Sequence, residues 1–414
     1  MDIHGTGTFG KVAKCFSLDH AEIVAIKFLN ADDENISQEV AMLKAISVLD
    51  SEKKNIVKFI DSFKYNHLFC LVFEMLDESI FDLMHKRRWL PLSLNEIRPV
   101  LHQLLVSLEA LKGLGIIHGD LKADNLMLVN HKDHPFKLRL IDFGMAIPAS
   151  EAEIGDVVQN PQFRAPEVML GLPVTEAVDI WSVGCIMLLF FLVDTPFPIE
   201  CTYGWMENLV DLLGLPADHM LDAGEYSKEL FIFDKSGWRL MTREEFTKKH
   251  EEEPETDKSS YISFKKKLRK KRISDEQDQL EFQDKMAFFD LLTCCLQVDP
   301  EQRISPSEAL KHPFITMVHM VHEMETSSYA DTALELMIVS PLDNLDEIIF
   351  NTVTSEESTS ISSNTGSAAA ITPVDDVNTS SHKPFKKTLF QRVKNFFCRV
   401  AKRVVRLFKF CRTK

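Results

Sequence analysis

Between Ile117 and Gly144 the chain opens with IHGDLKADNLMLV and closes with LRLIDFG. Its polar residues include His118, Asp120, Lys122, Asn125 and Asp142, set among Ile116, Ile117, Leu126, Met127, Leu128, Leu138, Leu140 and Ile141. The layout is an acid, a base and an amide on a short loop, then a second acid after a short strand. That suits the holding of metal-bound phosphates. Mg²⁺ takes hard oxygen ligands, usually one or two carboxylates plus substrate phosphate oxygens, and Asp142 and Asn125 supply such oxygens. Asp120 is placed to accept a proton from an attacking hydroxyl, and Lys122 can neutralise a moving phosphoryl group. A lone H-x-D reads equally well as a buried loop with incidental charges. The spacing D-x-K-x-x-N, with D-F-G 17 residues beyond the asparagine, is far more restrictive.

The preceding residues fit the same chemistry. GTGTFGKV at 5–12 follows G-x-G-x-x-G-x-V and carries Gly5, Gly7 and Gly10. Glycines let backbone N–H groups approach phosphates, and Lys27, in the strand-like VAIKFL at 24–29, reaches them too. Asp32 to Ser47 reads as a helix with Ile36, Val40, Leu43 and Ile46 on one face and Glu39 beside it. Residues 56–63 and 67–74 read as strands joined by a short turn. From Ile80 the pattern turns helical, and Ile97, Leu101, Leu104, Leu105, Leu108 and Leu111 mark one helix over 94–115.

These segments resemble the protein kinases: HGDLKADN their catalytic loop, IDFG their metal-binding segment. The combination most resembles the homeodomain-interacting protein kinases, in the group that also holds the dual-specificity tyrosine-regulated kinases. The resemblance rests on GTGTFGKVAKCFSLDHAEIVAIKFL, LVFEMLDESIFDLM, HGDLKADNLMLV, FRAPEVMLGLPVTEAVDIWSVGC, LGLPADHMLDAGEYSKELF, WRLMTREEF and HPFITMVHM, and covers residues 5 to about 320. It implies ATP- and Mg²⁺-dependent phosphorylation of protein Ser/Thr hydroxyls, tyrosine autophosphorylation during maturation, and nuclear work on transcription regulators. It also implies that Glu39 pairs with Lys27, and that the backbone of Glu74 and Leu76 bonds an adenine. Val12, Ala25 and Met127 would sandwich the ring, and Phe73 would narrow the pocket. Glu167 would pair with Arg303, and Asp179 would brace the catalytic loop.

Several positions depart from that pattern. Gly119 stands where many kinases, though not the related family, have arginine; Val157 stands about where the family places a tyrosine, and Pro161 where it places an arginine. No tyrosine occurs between Asp142 and Glu167, so tyrosine-dependent activation is expected to be absent. Few residues precede Gly5, so a shortened first strand is expected. The alternative to an enzyme is a pseudokinase-like scaffold that binds ATP and partners without turnover.

Composition sets the compartment and the remaining parts. The 414 residues are 45% hydrophobic and 26% charged, ordinary for a globular protein. Eight scattered cysteines without a C-x-x-C pair argue for a reducing compartment. No signal peptide is read at the N-terminus. The longest apolar run, Val183 to Val193, is about half of the roughly 20 residues that span a bilayer, and reads as a buried helix. The formal net charge is −15, yet residues 382–414 hold twelve Lys and Arg and no acid, so an acidic body carries a basic tail. Seven of the eight residues from Lys265 to Arg272 are basic. They read as a nuclear localisation signal, a patch for an acidic partner, or a solvated loop.

The expected fold is therefore α+β and two-lobed. A β-rich small lobe spans 1–76, and a mainly helical lobe spans 77–320 with a basic insert near 251–275. A flexible acidic Ser/Thr-rich linker over 321–384 leads to a basic amphipathic helix over 385–414. That tail is expected to meet an anionic membrane, an acidic protein or the acidic body itself. Protein substrates, no nucleic-acid site, and a nuclear and cytoplasmic location with peripheral membrane association complete the expectation.

Overall fold

The computed structural model describes residues 2–340 except 8–9, 19–20, 33–35, 156–157, 198–200, 255–257, 274–278, 322 and 324–325. The chain opens with β1 (Asp2–Gly7), β2 (Gly10–Ser17) and β3 (Glu22–Asn30). Helices α1 (Ile36–Ile46) and α2 (Ser51–Lys54) follow, then β4 (Phe59–Tyr65) and β5 (Leu68–Glu74). The five strands form one antiparallel sheet in the order β1-β2-β3-β5-β4. Apolar residues dominate β3 and β5, β-branched and aromatic ones among them, as suits a pleated, half-buried surface. Val12 lies directly opposite Lys27, and Ala25 opposite Phe73, so these four residues share one face of the sheet. The first strand, expected to be short, has six residues and pairs with β2 from Asp2↔Lys14 to Gly7↔Gly10.

Two local differences from the sequence reading matter for the site. In α1 the buried residues are Ile36, Glu39, Met42, Leu43 and Ile46, while Val40 is half-buried. Glu39 thus lies inside the apolar stripe, not beside it. Strand β4 begins three residues later than expected, because residues 55–57 pair elsewhere. Leu140 N–H donates to Asn55 O (2.7 Å) and Val57 N–H to Leu140 O (3.0 Å). The small lobe is thereby stitched to the strand that leads to Asp142.

The large lobe begins with α3 (Ile80–Lys86) and α4 (Leu94–Gly113), then the short strands β6 (Ile116–Ile117), β7 (Leu126–Leu128), β8 (Leu138–Leu140) and β9 (Ile147–Pro148). Capping boxes, Ser79 with Asp82 and Ser93 with Glu96, start α3 and α4; such a cap is typically worth about 1 kcal/mol. After α5 (Pro166–Leu170) comes α6 (Ala177–Leu192), buried along nearly its whole length, as an all-round apolar helix must be. Helices α7 (Thr202–Leu213), α8 (Asp218–Ala223) and α9 (Ser227–Leu230), a β10–β11 hairpin (Phe231–Asp234, Gly237–Leu240) and α10 (Arg243–His250) follow. Then come α11 (Lys258–Ile273), α12 (Gln279–Cys295), α13 (Pro306–Ala309), α14 (Pro313–Thr316) and α15 (Ser328–Met337). No helix among the described residues is long and apolar enough to cross a membrane.

The basic insert contains helix α11. Phe264 is fully buried, and Tyr261 donates its hydroxyl to Asp211 Oδ2 (2.8 Å). Lys265 and Lys267 pair with Asp211 and Asp194 at 2.5 and 2.6 Å. Tyr261, Phe264 and Leu268 recur at helical spacing, a signal obscured in the sequence by the lysines around them. Lys266, Arg269 and Lys270 remain exposed.

Part of the expected flexible linker is folded. Helix α15 buries Ala330, Ala333 and Met337 against Leu280, Met317 and Met320. Its Tyr329 donates to Asp284 Oδ2 (2.6 Å), which also pairs with the fully buried Arg98. Asn95 donates to Tyr329 O (3.1 Å). The small-residue stripe at Ala330, Ala333 and Met337 outweighs the polar composition that suggested a linker. Hydrogen bonds to buried charge contribute about 1.5–3 kcal/mol each. Tyr329→Phe is therefore expected to lower unfolding stability by that amount in urea denaturation, and an unchanged midpoint would show that α15 is not anchored there. The remainder of the expected linker, 341–384, and the basic tail, 385–414, lie outside the described residues.

Asp290, Cys294 and His312 bring an oxygen, a sulfur and a nitrogen within 4.8 Å of one another. His312 Nδ1 accepts Phe314 N–H (3.2 Å) and caps α14. The ring proton of a neutral imidazole then sits on Nε2, 3.1 Å from Asp290 Oδ2. The nitrogen facing the carboxylate is a donor, so the group reads as a helix cap and not as a metal centre.

Candidate active site

Two short ladders frame the loop that carries Asp120. β6 pairs with β9 and β7 with β8, and Ile141 N–H donates to Asn125 O (3.0 Å). His118 is fully buried. Its Nδ1 accepts Asp120 N–H (3.2 Å), so Nε2 carries the proton and donates it to Ile141 O (3.1 Å). That fixes the tautomer. From α6, Asp179 accepts His118 N–H (2.8 Å) and Gly119 N–H (3.0 Å). Burial pushes the Asp179 pKa up, against the opposing pull of His118 and the two amides. Gly119 has φ +71°, and a Cβ there would meet Met145 O at 3.0 Å. The backbone itself therefore favours glycine at this position.

Asp120 is 3% exposed. Its Oδ2 accepts from Lys122 Nζ (2.7 Å) and Asn125 Nδ2 (3.0 Å). Its Oδ1 takes no hydrogen bond from any described residue. Asn125 Nδ2 also donates to Asp120 O (2.7 Å). Both partners are acceptors, so the amide nitrogen must face them and Asn125 Oδ1 faces away.

The third part spans the two lobes. Lys27 Nζ lies 2.8 Å from Glu39 Oε1 and 3.0 Å from Asp142 Oδ1. Asp142 holds φ +63°, a left-handed conformation uncommon outside glycine and of the kind that clusters at working sites. Lys27, Glu39, Asp120, Lys122, Asn125 and Asp142 are thus joined in two contacting sets, Lys27 with Glu39 and Asp142, and Asp120 with Lys122 and Asn125. Asn125 Oδ1 and the second Asp142 oxygen are hard donors not engaged by a described residue, so the residues present fit a Mg²⁺ ion.

Residues 2–315 match the protein kinase domain. This chain belongs to the protein kinase family. It is similar to homeodomain-interacting protein kinase 2 of Mesocricetus auratus, 36% identical over 344 residues, covering 78% of this chain and 28% of that protein. It is similar to homeodomain-interacting protein kinase 1 of Caenorhabditis elegans, 34% identical over 339 residues, 77% of this chain and 40% of that protein. The human homeodomain-interacting protein kinase 4 is 31% identical over 353 residues, 81% of this chain and 57% of that protein. The chain thus spans between 28% and 57% of the length of these relatives.

In the kinase cleft, the connector after β5 is clamped onto β7. Asp77 N–H donates to Leu128 O (2.8 Å), Leu128 N–H to Glu78 O (2.7 Å), and Ser79 bridges Met127. Leu76 is buried, and no described residue accepts its amide hydrogen. Glu74 is held by its side chain, which accepts Lys58 N–H (2.7 Å) and Arg139 Nε–H (3.2 Å). Val12, Ala25 and Met127 are half-buried. Gly5, Gly7 and Gly10 lie at the β1–β2 turn, where Gly5 pairs with Val12 and Gly7 with Gly10.

Burial pulls the Lys27 pKa down, but the Asp142 and Glu39 carboxylates outweigh it and raise it. Burial pushes the Asp142 pKa up, but the Lys27 ammonium outweighs it and lowers it. A raised lysine contributes stability below its ordinary value near 10.4 and loses it as pH rises through the folded value. A lowered aspartate contributes above its ordinary value near 3.9 and loses it as pH falls through the folded value. Both charges therefore hold across roughly pH 5–9, so this cluster should add no pH dependence of its own to nucleotide affinity there. Because Lys27 and Glu39 act through one contact, Lys27→Met and Glu39→Gln should each lower kcat/KM for ATP, and the double variant should fall little further. Fully additive losses in steady-state kinetics would contradict the pairing.

Sequence reasoning missed two residues that join these parts. Gln38, next to Glu39, donates to Ala146 O (3.0 Å), tying α1 to the segment after Asp142. Gln159 is buried between the loop at Gly119 and α6. Neither glutamine lies in a recognisable motif.

Proposed function

We propose that this chain is an ATP- and Mg²⁺-dependent protein kinase acting on Ser and Thr hydroxyls. The observation that carries the reading is the Asp120 carboxylate. One oxygen is fixed by Lys122 and Asn125, and the other is left open to take a proton. The substrate hydroxyl attacks the γ-phosphorus of ATP, its proton passes to Asp120 Oδ1, the bond to the β-phosphate oxygen breaks, and ADP leaves. Lys122 offsets the negative charge on the transferring group, and Lys27, oriented by Glu39, holds the nucleotide phosphates. Asn125 and Asp142 would hold Mg²⁺, which supplies charge neutralisation of the phosphates when bound. Positioning and electrostatics carry most of such a reaction. The adenine would lie between Val12 and Ala25 above and Met127 below, bonded by the backbone of Glu74 and Leu76.

By likeness to the relatives, whose names refer to homeodomain proteins, the substrates are proposed to be transcription regulators, and the chain to work in the nucleus and cytoplasm. Phosphoamino-acid analysis after incubation with ATP, Mg²⁺ and a panel of such proteins tests the reading. Phosphoserine and phosphothreonine are expected, and phosphotyrosine alone would overturn the Ser/Thr assignment. For residues 385–414 we favour an anionic membrane surface, since each Lys or Arg near such a leaflet contributes about 1 kcal/mol and an apolar stripe adds to it. The tail peptide is expected to gain helix on phosphatidylserine vesicles, less so in high salt. No gain in circular dichroism would move it to an acidic protein surface.

A further inference from the structure

Gln159 is 2% exposed and holds φ +71°, and all its polar atoms are engaged. Its backbone N–H donates to Gly119 O (2.8 Å). Its Oε1 accepts Ala165 N–H (2.9 Å), and its Nε2 donates to Val178 O (2.8 Å) and Ser182 Oγ (2.8 Å), with Phe163 O at 3.2 Å. Ser182 passes its own proton to Phe163 O (2.9 Å). The Gln159 carbonyl accepts Arg164 Nη2–H (2.9 Å). The amide cannot be flipped, because Ala165 N–H requires an acceptor and Val178 O a donor.

These bonds close a circuit. Asp179 of α6 holds the nitrogen of Gly119, Gln159 holds its carbonyl, and the Gln159 side chain returns to Val178 and Ser182 of the same helix. Asp120 follows Gly119 directly. The segment from Phe163 to Ala165 hangs on the same amide. We propose that Gln159 is a positioning residue that holds the Asp120 loop and residues 163–165 in the reactive arrangement with no phosphoryl group on the segment. The proposal rests on the kinase reading above and adds to it the means by which a segment without tyrosine stays set.

The test uses the full chain and two substitutions. Gln159→Met keeps the length and removes both donors and the acceptor. It should lower kcat about 100-fold, the scale of a small misplacement of reacting groups, while the Kd of a non-hydrolysable ATP analogue stays within about twofold, since Gln159 does not reach the Lys27 cluster. Gln159→Glu supplies one donor only when its carboxyl is protonated. Its kcat should therefore fall as pH rises through the neutral range while the parent stays flat, a dependence that a filler of space would not produce. In both, amide hydrogen exchange should quicken at 118–125 and 163–165 and stay unchanged in β3 and β5. Parent-level kcat in Gln159→Met would overturn the proposal, as would a loss of analogue binding together with a loss of kcat. If the parent transfers no phosphoryl group, the kinase reading fails by itself. Faster exchange at those two segments would then still support the positioning role, and unchanged exchange would overturn it.

Discussion

Replacing Asp120 with Asn is expected to lower kcat by about 10²–10⁴-fold, the range over which a positioned base contributes, with ATP affinity unchanged. An amide is nearly the same size and shape as the carboxylate. It cannot take a proton from a hydroxyl at neutral pH, and it cannot pair with the Lys122 ammonium that lies 2.7 Å from Oδ2. Nucleotide binding is proposed to draw on other groups, the Lys27–Glu39–Asp142 cluster and the cleft around Leu76 and Met127, which Asp120 does not touch. The loss should therefore fall in kcat and kcat/KM together, the mark of an interaction made only in the transition state. Steady-state kinetics beside calorimetric ATP binding separate the two quantities. A variant that turns over at the parent rate would remove Asp120 from its role.

Glu167→Ala should cost about 3–5 kcal/mol of stability, the usual result of leaving one partner of a buried ion pair alone. Arg303 lies 2.6 and 2.9 Å from the two Glu167 oxygens, and both side chains are almost wholly enclosed. The guanidinium also donates to Gln297 O and Ala177 O and lies over the Trp181 ring, so it cannot swing out to water. Against a typical total of about 5–15 kcal/mol, such a loss is a large fraction. Replacing both residues with apolar ones of similar volume should cost less than the single change, because no charge is stranded. Urea denaturation of the parent, Glu167→Ala and Glu167→Met with Arg303→Met measures the series. A single variant as stable as the parent would show that the pair is solvated or unformed in solution.

The motif residues were legible in the sequence because their spacing leaves little freedom. Asp120, Lys122 and Asn125 are brought together by one turn of loop, and Lys27 meets Glu39 as the family resemblance implies, with Asp142 as a further partner that only the structure shows. What the sequence hid was decided by tertiary partners. Ile56 and Val57 look like strand, but pair with Leu140 instead of the sheet. Gly119 reads as a missing arginine, yet its positive φ and the nearness of Met145 O explain it. Helix α15 escaped notice because its buried stripe is mostly alanine, which carries little hydropathy but packs closely. Gln159 gave no signal at all, because one amide buried among backbone groups leaves no periodicity and belongs to no motif.

The central claim is phosphoryl transfer, and one assay meets it most directly. The full chain is incubated with γ-labelled ATP, Mg²⁺ and a protein substrate, with Asp120→Asn as the control. The account predicts label on serine or threonine of the substrate with the parent, one ADP per phosphate transferred, and almost none with the variant. ATP that binds to both proteins with no label transferred by either would contradict it, and would make this kinase fold a nucleotide-binding scaffold.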